Sequence, residues 1–233
     1  MTELLITPTN RRMFMGGVGV AAGGLLFSGC TTGAGGFSLA EAVRRMLLLS
    51  SERAFSRMTV TGGFWDQQVA QIGLGNLLGT RGDVLSGILT SALFKSRLER
   101  EFAGFAVDAS ERAAPLVIDA VRTVGIQNAV ALVRGGPMAA TEFLRGNLGT
   151  GLLDAMVPGI WEAIRITQEP LVGQAINALS GIDIAAVGNR LGQNVNDAIW
   201  NEIGREESAI RADPQATGDP LLIGVFGAAG GLL

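Results

Sequence analysis

The chain has 233 residues, with 18 basic and 21 acidic side chains, no His, no Tyr and a single Cys, Cys30. Without His there is no His metal ligand, no His general base and no triad built on His. One Cys excludes an internal disulfide. A net charge of −3 with no basic block argues against nucleic acid as a partner.

Residues 1–29 have the three parts of a secretory signal. The charged region ends in Arg11-Arg12, residues Met13 to Phe27 carry no charge, and Ser28-Gly29 are small just before Cys30. Leu26-Phe27-Ser28-Gly29-Cys30 resembles the lipobox of bacterial lipoproteins, in which the cysteine takes a diacylglyceryl group. Burying acyl chains gains about 0.8 kcal/mol per CH₂, and two or more chains hold stably. A spanning helix needs roughly 20 mostly apolar residues. The apolar stretch here is shorter and carries Gly16, Gly17, Gly19, Gly23 and Gly24, so cleavage is expected instead of a retained helix. Asn10-Arg11-Arg12-Met13-Phe14-Met15 resembles a twin-arginine export signal, from which Asn10, Met15 and Gly16 depart. Two ordinary charges on a Sec substrate are the alternative. Thr31 stands where an Asp would retain a lipoprotein in the inner membrane, which favours the outer membrane. Cleavage after Gly29 leaves 204 residues (233 less 29) and removes Glu3, Arg11 and Arg12, for a net charge of −4. A tether to the membrane is therefore expected to be covalent and not electrostatic.

Thr31 to Phe37 reads as a small-residue tether. Ser38-Leu39-Ala40-Glu41 fits a capping box, opening a helix that continues to about Met58. Phe64 to Asp83 is rich in glycine and reads as short helical turns and loops. Asp83 is expected to cap a helix through Leu85, Ile88, Leu89, Leu93 and Phe94. Leu98, Phe102, Phe105, Ala109 and Arg112 recur at helical spacing. Pro115 is expected to restart that element, which Leu116 to Val124 completes. Gly125 to Arg134 reads as a short helix, broken by Gly135-Gly136-Pro137. Pro137 suits the first position of the next helix, through Ala140, Phe143, Leu144, Leu148 and Leu152. Pro158 and Pro170 are expected to punctuate two further helices.

Asp183 is expected to cap the last long helix, which Asp213-Pro214 stops. On it Ile184, Val187, Leu191, Val195, Ile199 and Ile203 form one stripe. Leu221 to Phe226 is a short apolar piece, and residues 228–233 read as a flexible tail. Thirty-four glycines, about twice the usual share of roughly 7%, suggest closely packed helices with many breaks. No run alternates long enough to demand a sheet. The expected fold is all-α: a single irregular multi-helix bundle over residues 38–227, after a cleaved lipoprotein signal.

Several stretches together resemble a family of bacterial proteins named domain of unknown function 4197. They are Ala109-Ser110-Glu111-Arg112-Ala113, Asn128-Ala129, Arg134 through Phe143, Glu206 through Pro214, and Leu221-Leu222 with Val225-Phe226-Gly227. The chain departs from that pattern at Asp108, Asn128 and Phe143. The resemblance implies an all-helical envelope protein, often with a lipoprotein signal, and implies no activity.

Four constellations bear on chemistry. Glu206, Glu207, Arg211 and Asp213 are the densest charged cluster. Two carboxylates beside a cation suit glycan hydrolysis, but an i,i+4 pair on a solvated helix face is the expected reading. Asp108, Glu111, Arg112 and Asp119 offer oxygen ligands to a hard cation, yet lack a glycine-turned loop of dense Asp and Asn, so no metal is expected. Arg134 to Thr141 opens a helix whose first amides can hold an anion, although a loop with tight helix packing fits better. Phe64-Trp65 is expected to close a core instead of forming an exposed tip.

These readings lead to an exported, lipid-anchored protein facing the periplasm, expected to have a non-catalytic binding or structural role in the envelope and no cofactor. Its expected partners are the membrane, through the lipid on Cys30, and an envelope protein. A carrier of a small apolar ligand and a carboxylate hydrolase acting on cell-wall glycan are the alternatives.

Overall fold

A computed structural model describes residues 38–79, 92–166 and 184–227. All of them fall within one compact unit, Phe37–Leu233; the other unit is Met1–Gly36. Among the described residues every regular element is helical. Cys30, Arg11-Arg12, the tether, the Asp83 and Asp183 caps, Pro170 and the 228–233 tail lie outside them.

Helix α1 is Leu39–Met58. Ser38 caps it by accepting the Glu41 amide at 3.3 Å. The reciprocal half of the capping box is not made, because the Glu41 carboxylate takes Arg45 Nε at 3.1 Å. Two short helices follow, α2 (Phe64–Ile72) and α3 (Leu74–Leu78). Trp65 is buried, and its indole N–H donates to Ser110 Oγ at 3.0 Å.

Helix α4, Ala92–Thr123, runs unbroken through Pro115. The expectation that Pro115 restarts the element is therefore corrected. Proline removes one amide donor and costs about 3 kcal/mol in a helix interior. Here Glu111, Arg112, Pro115 and Leu116 face solvent, so water can serve the freed carbonyl. The buried stripe Ala109, Ala113, Val117 and Val121 crosses the proline without a break. Packing on that face overrides the local preference.

Helix α5 is the short segment Ala129–Arg134, and α6 is Ala139–Leu148. Met138 is the cap of α6 and Ala139 its first residue, so Pro137 lies two positions before its expected place. Gly149 ends α6 at φ +55°, ψ −124°, a conformation that needs glycine. Leu152 consequently belongs to α7, Gly151–Ile166, and not to α6. Pro158 sits inside α7 on its exposed side and does not break it.

Helix α8, Ile184–Ala212, packs along α1. Along it Val187, Leu191, Val195, Ile199, Ile203 and Ile210 are buried, as the periodicity predicts. Asp213 then accepts the Ala216 amide and opens a 3₁₀ turn, Pro214–Thr217. A final short helix, α9 (Pro220–Leu222), and a π turn, Ile223–Gly227, bury Leu221, Leu222 and Phe226.

Helix α1 packs on α8 and α4, α7 packs on both α4 and α8, and α2 lies on α4. Arg57, at the end of α1, pairs with Glu202 and Glu206. Arg45, near its start, pairs with Asp219 beyond the end of α8 at 3.2 Å. The two helices therefore run antiparallel. Small residues set the approach of α7 to α8: a Cβ on Gly192 would lie 2.6 Å from Val157 Cγ2, and one on Gly188 would lie 3.0 Å from Trp161 Cδ1.

Candidate functional site

The charged cluster near the end of α8 is the chemical centre of the described structure, and its location differs from the expectation. Glu207 is fully buried, with 0% of its surface exposed, and does not lie on a solvated face. The reason is visible along α8. Position 207 follows Ile199 and Ile203 at intervals of four and precedes Ile210 by three, so it continues the buried stripe.

At that position the carboxylate meets the start of α6. Glu207 Oε2 accepts from the Thr141 amide at 2.7 Å and the Thr141 hydroxyl at 2.6 Å. Oε1 accepts from the Ala140 amide at 3.0 Å and from Arg211 Nε and Nη2 at 2.9 and 2.7 Å. Five donors thus surround one carboxylate. The first amides of a helix lack internal partners and carry the positive end of its dipole. A carboxylate placed there makes short, charge-assisted hydrogen bonds. The anion that the first turn of α6 can hold is therefore supplied by the chain itself.

The close approach has a steric basis. Gly204, one turn before Glu207, faces Met138 of the loop that leads into α6, and a Cβ at 204 would run into the Met138 side chain. Glycine at 204 lets the loop lie against α8, which brings Ala140 and Thr141 within reach of Glu207.

Arg211 completes the arrangement. Its Nη1 donates to the Val133 carbonyl at 2.9 Å, and its Nη2 to the Leu132 carbonyl at 2.7 Å. Those carbonyls belong to the last turn of α5, where a helix presents its negative end. The guanidinium also lies 5.0 Å above the Phe226 ring, a cation–π geometry. One ion pair, four residues apart on α8, thus ties the end of α5 and the beginning of α6 to the bundle. The carboxylate takes the positive helix end and the guanidinium the negative one.

Two other arginines treat helix ends in the same way. Arg44 of α1 donates to the Val121 carbonyl at 2.6 Å and the Arg122 carbonyl at 3.1 Å, closing α4. Arg190 of α8 donates to the Leu77 and Leu78 carbonyls at 2.9 Å each, closing α3. A planar fork suits two neighbouring carbonyls in a way that a lysine cannot match.

Glu206 faces a different group. It shares Arg57 with Glu202, whose Oε1 lies 2.6 Å from Arg57 Nη1. Arg205 donates to both Glu202 oxygens, at 2.9 and 2.6 Å. Burial pushes the Glu202 carboxyl above its ordinary value; Arg57 opposes this and Glu206 reinforces it. Asp219 behaves differently. Burial would raise it, but the Leu221 amide, the Arg45 guanidinium and the Leu222 amide together hold it below the usual carboxylate value.

The other constellations do not converge. Asp108, Glu111, Arg112 and Asp119 are exposed along α4, and Asp119 pairs with Arg122 at 3.6 Å. Among the described residues no group of three or more acidic, His or Cys side chains could hold a metal ion. No described helix is long and apolar enough to cross a membrane. Asp213 stands apart from the Glu207 site as the cap of the 3₁₀ turn.

The fold and this cluster define an all-helical bundle whose most concentrated charge is built into its interior. The chain belongs to the family described as "Protein of unknown function (DUF4197)", whose model matches residues 35–227. No curated protein matches the chain, and no solved structure does.

Proposed function

We propose that the protein is exported, held to a bacterial membrane by lipid on Cys30, and acts at the periplasmic side of the outer membrane as a non-catalytic binding or structural component. The anchor rests on the order Leu26-Phe27-Ser28-Gly29-Cys30 and on Arg11-Arg12 upstream. The observation that carries the non-catalytic part is the state of Glu207. The carboxylate that most resembles a catalytic acid in the sequence already accepts five hydrogen bonds from its own chain. A group so saturated organises helices and has no free lone pair directed at a substrate. The partner in this reading is an envelope protein, or a small apolar ligand, in addition to the membrane.

The test is metabolic labelling with a fatty-acid analogue, followed by detergent-phase partitioning. The wild-type chain should be labelled, shortened by its signal and recovered in the detergent phase. Cys30→Ser should be unlabelled and uncut by the lipoprotein peptidase. A processed, acylated Cys30→Ser protein would refute the anchor.

A hydrolase reading keeps one supporting observation, the carboxyl of Glu202 raised by burial with Glu206 beside it, since two neighbouring carboxyl groups are the pair that glycan cleavage uses. Both carboxylates are already paired with Arg57 and Arg205, which favours the structural role. Release of sugar from purified cell wall by the wild type, lost in Glu202→Gln, would restore the catalytic alternative.

A further inference from the structure

The stretch from Gly125 to Met138 stands out in the burial pattern. None of its residues is buried, whereas the helices on either side, α4 and α6, carry residues of full burial. It contains α5, six residues long with no buried side chain. Only Ile126, Leu132 and Val133 pack partly against the core, and Val130 is 48% exposed. A six-residue helix cannot hold itself in water, because helix nucleation is costly and isolated helices under about 12 residues are marginal. Something else must hold this segment down.

That attachment is polar and local. At the near end, Arg44 fixes the last carbonyls of α4 up to Val124, so the chain is firm until Gly125. At the far end, Arg211 holds the Leu132 and Val133 carbonyls, and its own position is set by Glu207 and by the Phe226 ring. Glycines stand at both limits. Gly125 and Gly136 have open space where a Cβ would be. Gly135 has no room for one, since a Cβ there would lie 2.6 Å from Ala139 Cβ and 2.9 Å from the Ala131 carbonyl. Beyond the second limit, α6 is secured independently by the Glu207 bonds to Ala140 and Thr141.

We propose that residues 126–134 form a strap that opens as a unit about Gly125 and Gly135-Gly136, released when Arg211 lets go of the Leu132 and Val133 carbonyls, while Met138 stays against Gly204 and α6 stays docked on Glu207. Opening uncovers the apolar sides of Ile126, Leu132 and Val133 and the part of α1 on which α5 rests. The strap is a conformational device of the fold and does not depend on lipidation or on the absence of catalysis. It supplies a covered apolar surface that becomes accessible without unfolding the main helices. Local openings of this kind cost less than global unfolding and involve contiguous segments.

Hydrogen exchange followed by mass spectrometry on the full mature chain in detergent tests this. In the wild type, amides of 129–134 should exchange at least about 100-fold faster than buried amides of α4 and α8, as expected for a sub-global opening. Amides 140 and 141 should remain as protected as those of α8. Arg211→Lys keeps a positive charge near Glu207 but loses the fork across two carbonyls. It should accelerate exchange in 129–134 alone. Phe226→Leu, which removes the ring beneath the guanidinium, should do so to a smaller extent. If Arg211→Lys fails to fold, the wild-type rates and Phe226→Leu decide. Exchange of 129–134 at the rate of α8, loss of protection at 140 and 141 together with the strap, or equal acceleration of all segments would each overturn the proposal.

Discussion

Thr141 and Glu207 are 66 positions apart in the sequence, yet Thr141 gives both its amide and its hydroxyl to the same carboxylate oxygen, at 2.7 and 2.6 Å. The pair joins the first turn of α6 to the last turns of α8 where neither residue is exposed. Removing the hydroxyl while keeping the β-branched shape isolates one bond. Thr141→Val should lower stability by about 1.5–3 kcal/mol, the range for a hydrogen bond to a charged group. Urea unfolding of the protein measures it through a lower midpoint at unchanged slope. A midpoint equal to that of the wild type would mean that the hydroxyl contributes nothing.

The two pKa displacements predict opposite pH dependences. Glu202 is raised in the fold above its ordinary 4.5, first through burial. The native state therefore binds this proton more tightly than the unfolded chain does. Its contribution is fully present below 4.5 and is lost as pH rises through the folded value. Asp219 is lowered below 3.8, so its contribution is present above that value and lost as pH falls through the folded one. Stability measured against pH should show the Glu202 decline above 4.5 in the wild type and not in Glu202→Gln. Asp219→Asn should remove part of the acid loss below 3.8. A Glu202→Gln curve parallel to the wild type would contradict the assignment.

Glycines on two helices should respond in opposite directions to the same change. At Gly192 the added Cβ meets Val157 Cγ2 at 2.6 Å. Valine on a helix has essentially one side-chain rotamer available, so it cannot easily yield. Gly192→Ala should destabilise by about 1–3 kcal/mol through overpacking, despite the better helix propensity. Gly104 in α4 has open space, so Gly104→Ala should stabilise by roughly 0.5–1 kcal/mol. Thermal unfolding of the two variants should move their midpoints apart, and a shift of both in one direction would sink the steric argument.

The long helices were legible because their apolar residues repeat at three and four. Ser38 marks the start of α1, and Val187 through Ile203 mark the buried side of α8. The prolines misled because local chemistry at Pro115 and Pro158 is outweighed by stripes that continue past them. The Glu207 site was half legible. Its spacing to Ile203 and Ile210 places it in the seam, and the unpartnered amides ahead of Ala140 call for an anion. What joined the two was the approach of α6 to α8 over Gly204, a long-range contact that periodicity along one segment does not encode. The exposed pair that was expected at Glu207 and Arg211 would contribute only about 0.3–0.5 kcal/mol.

Ile199 offers a reference for the packing on the same helix, being fully buried on the stripe that leads to Glu207. Ile199→Asp places a charge there without a partner, which is costly. It should lower the thermal midpoint as strongly as a change at Glu207 does. A near-neutral Ile199→Asp would mean that the core around Ile199 is loosely packed.

The central claim is that Glu207 is an internal clamp. Chemical denaturation of Glu207→Ala tests it most directly, because the change leaves the half-buried Arg211 charge and the buried Ala140 and Thr141 amides without their shared acceptor. Losing one partner of a buried ion pair should cost about 3–5 kcal/mol. A loss below about 0.5 kcal/mol, as for an exposed helix pair, would contradict the buried clamp and return Glu207 to the surface.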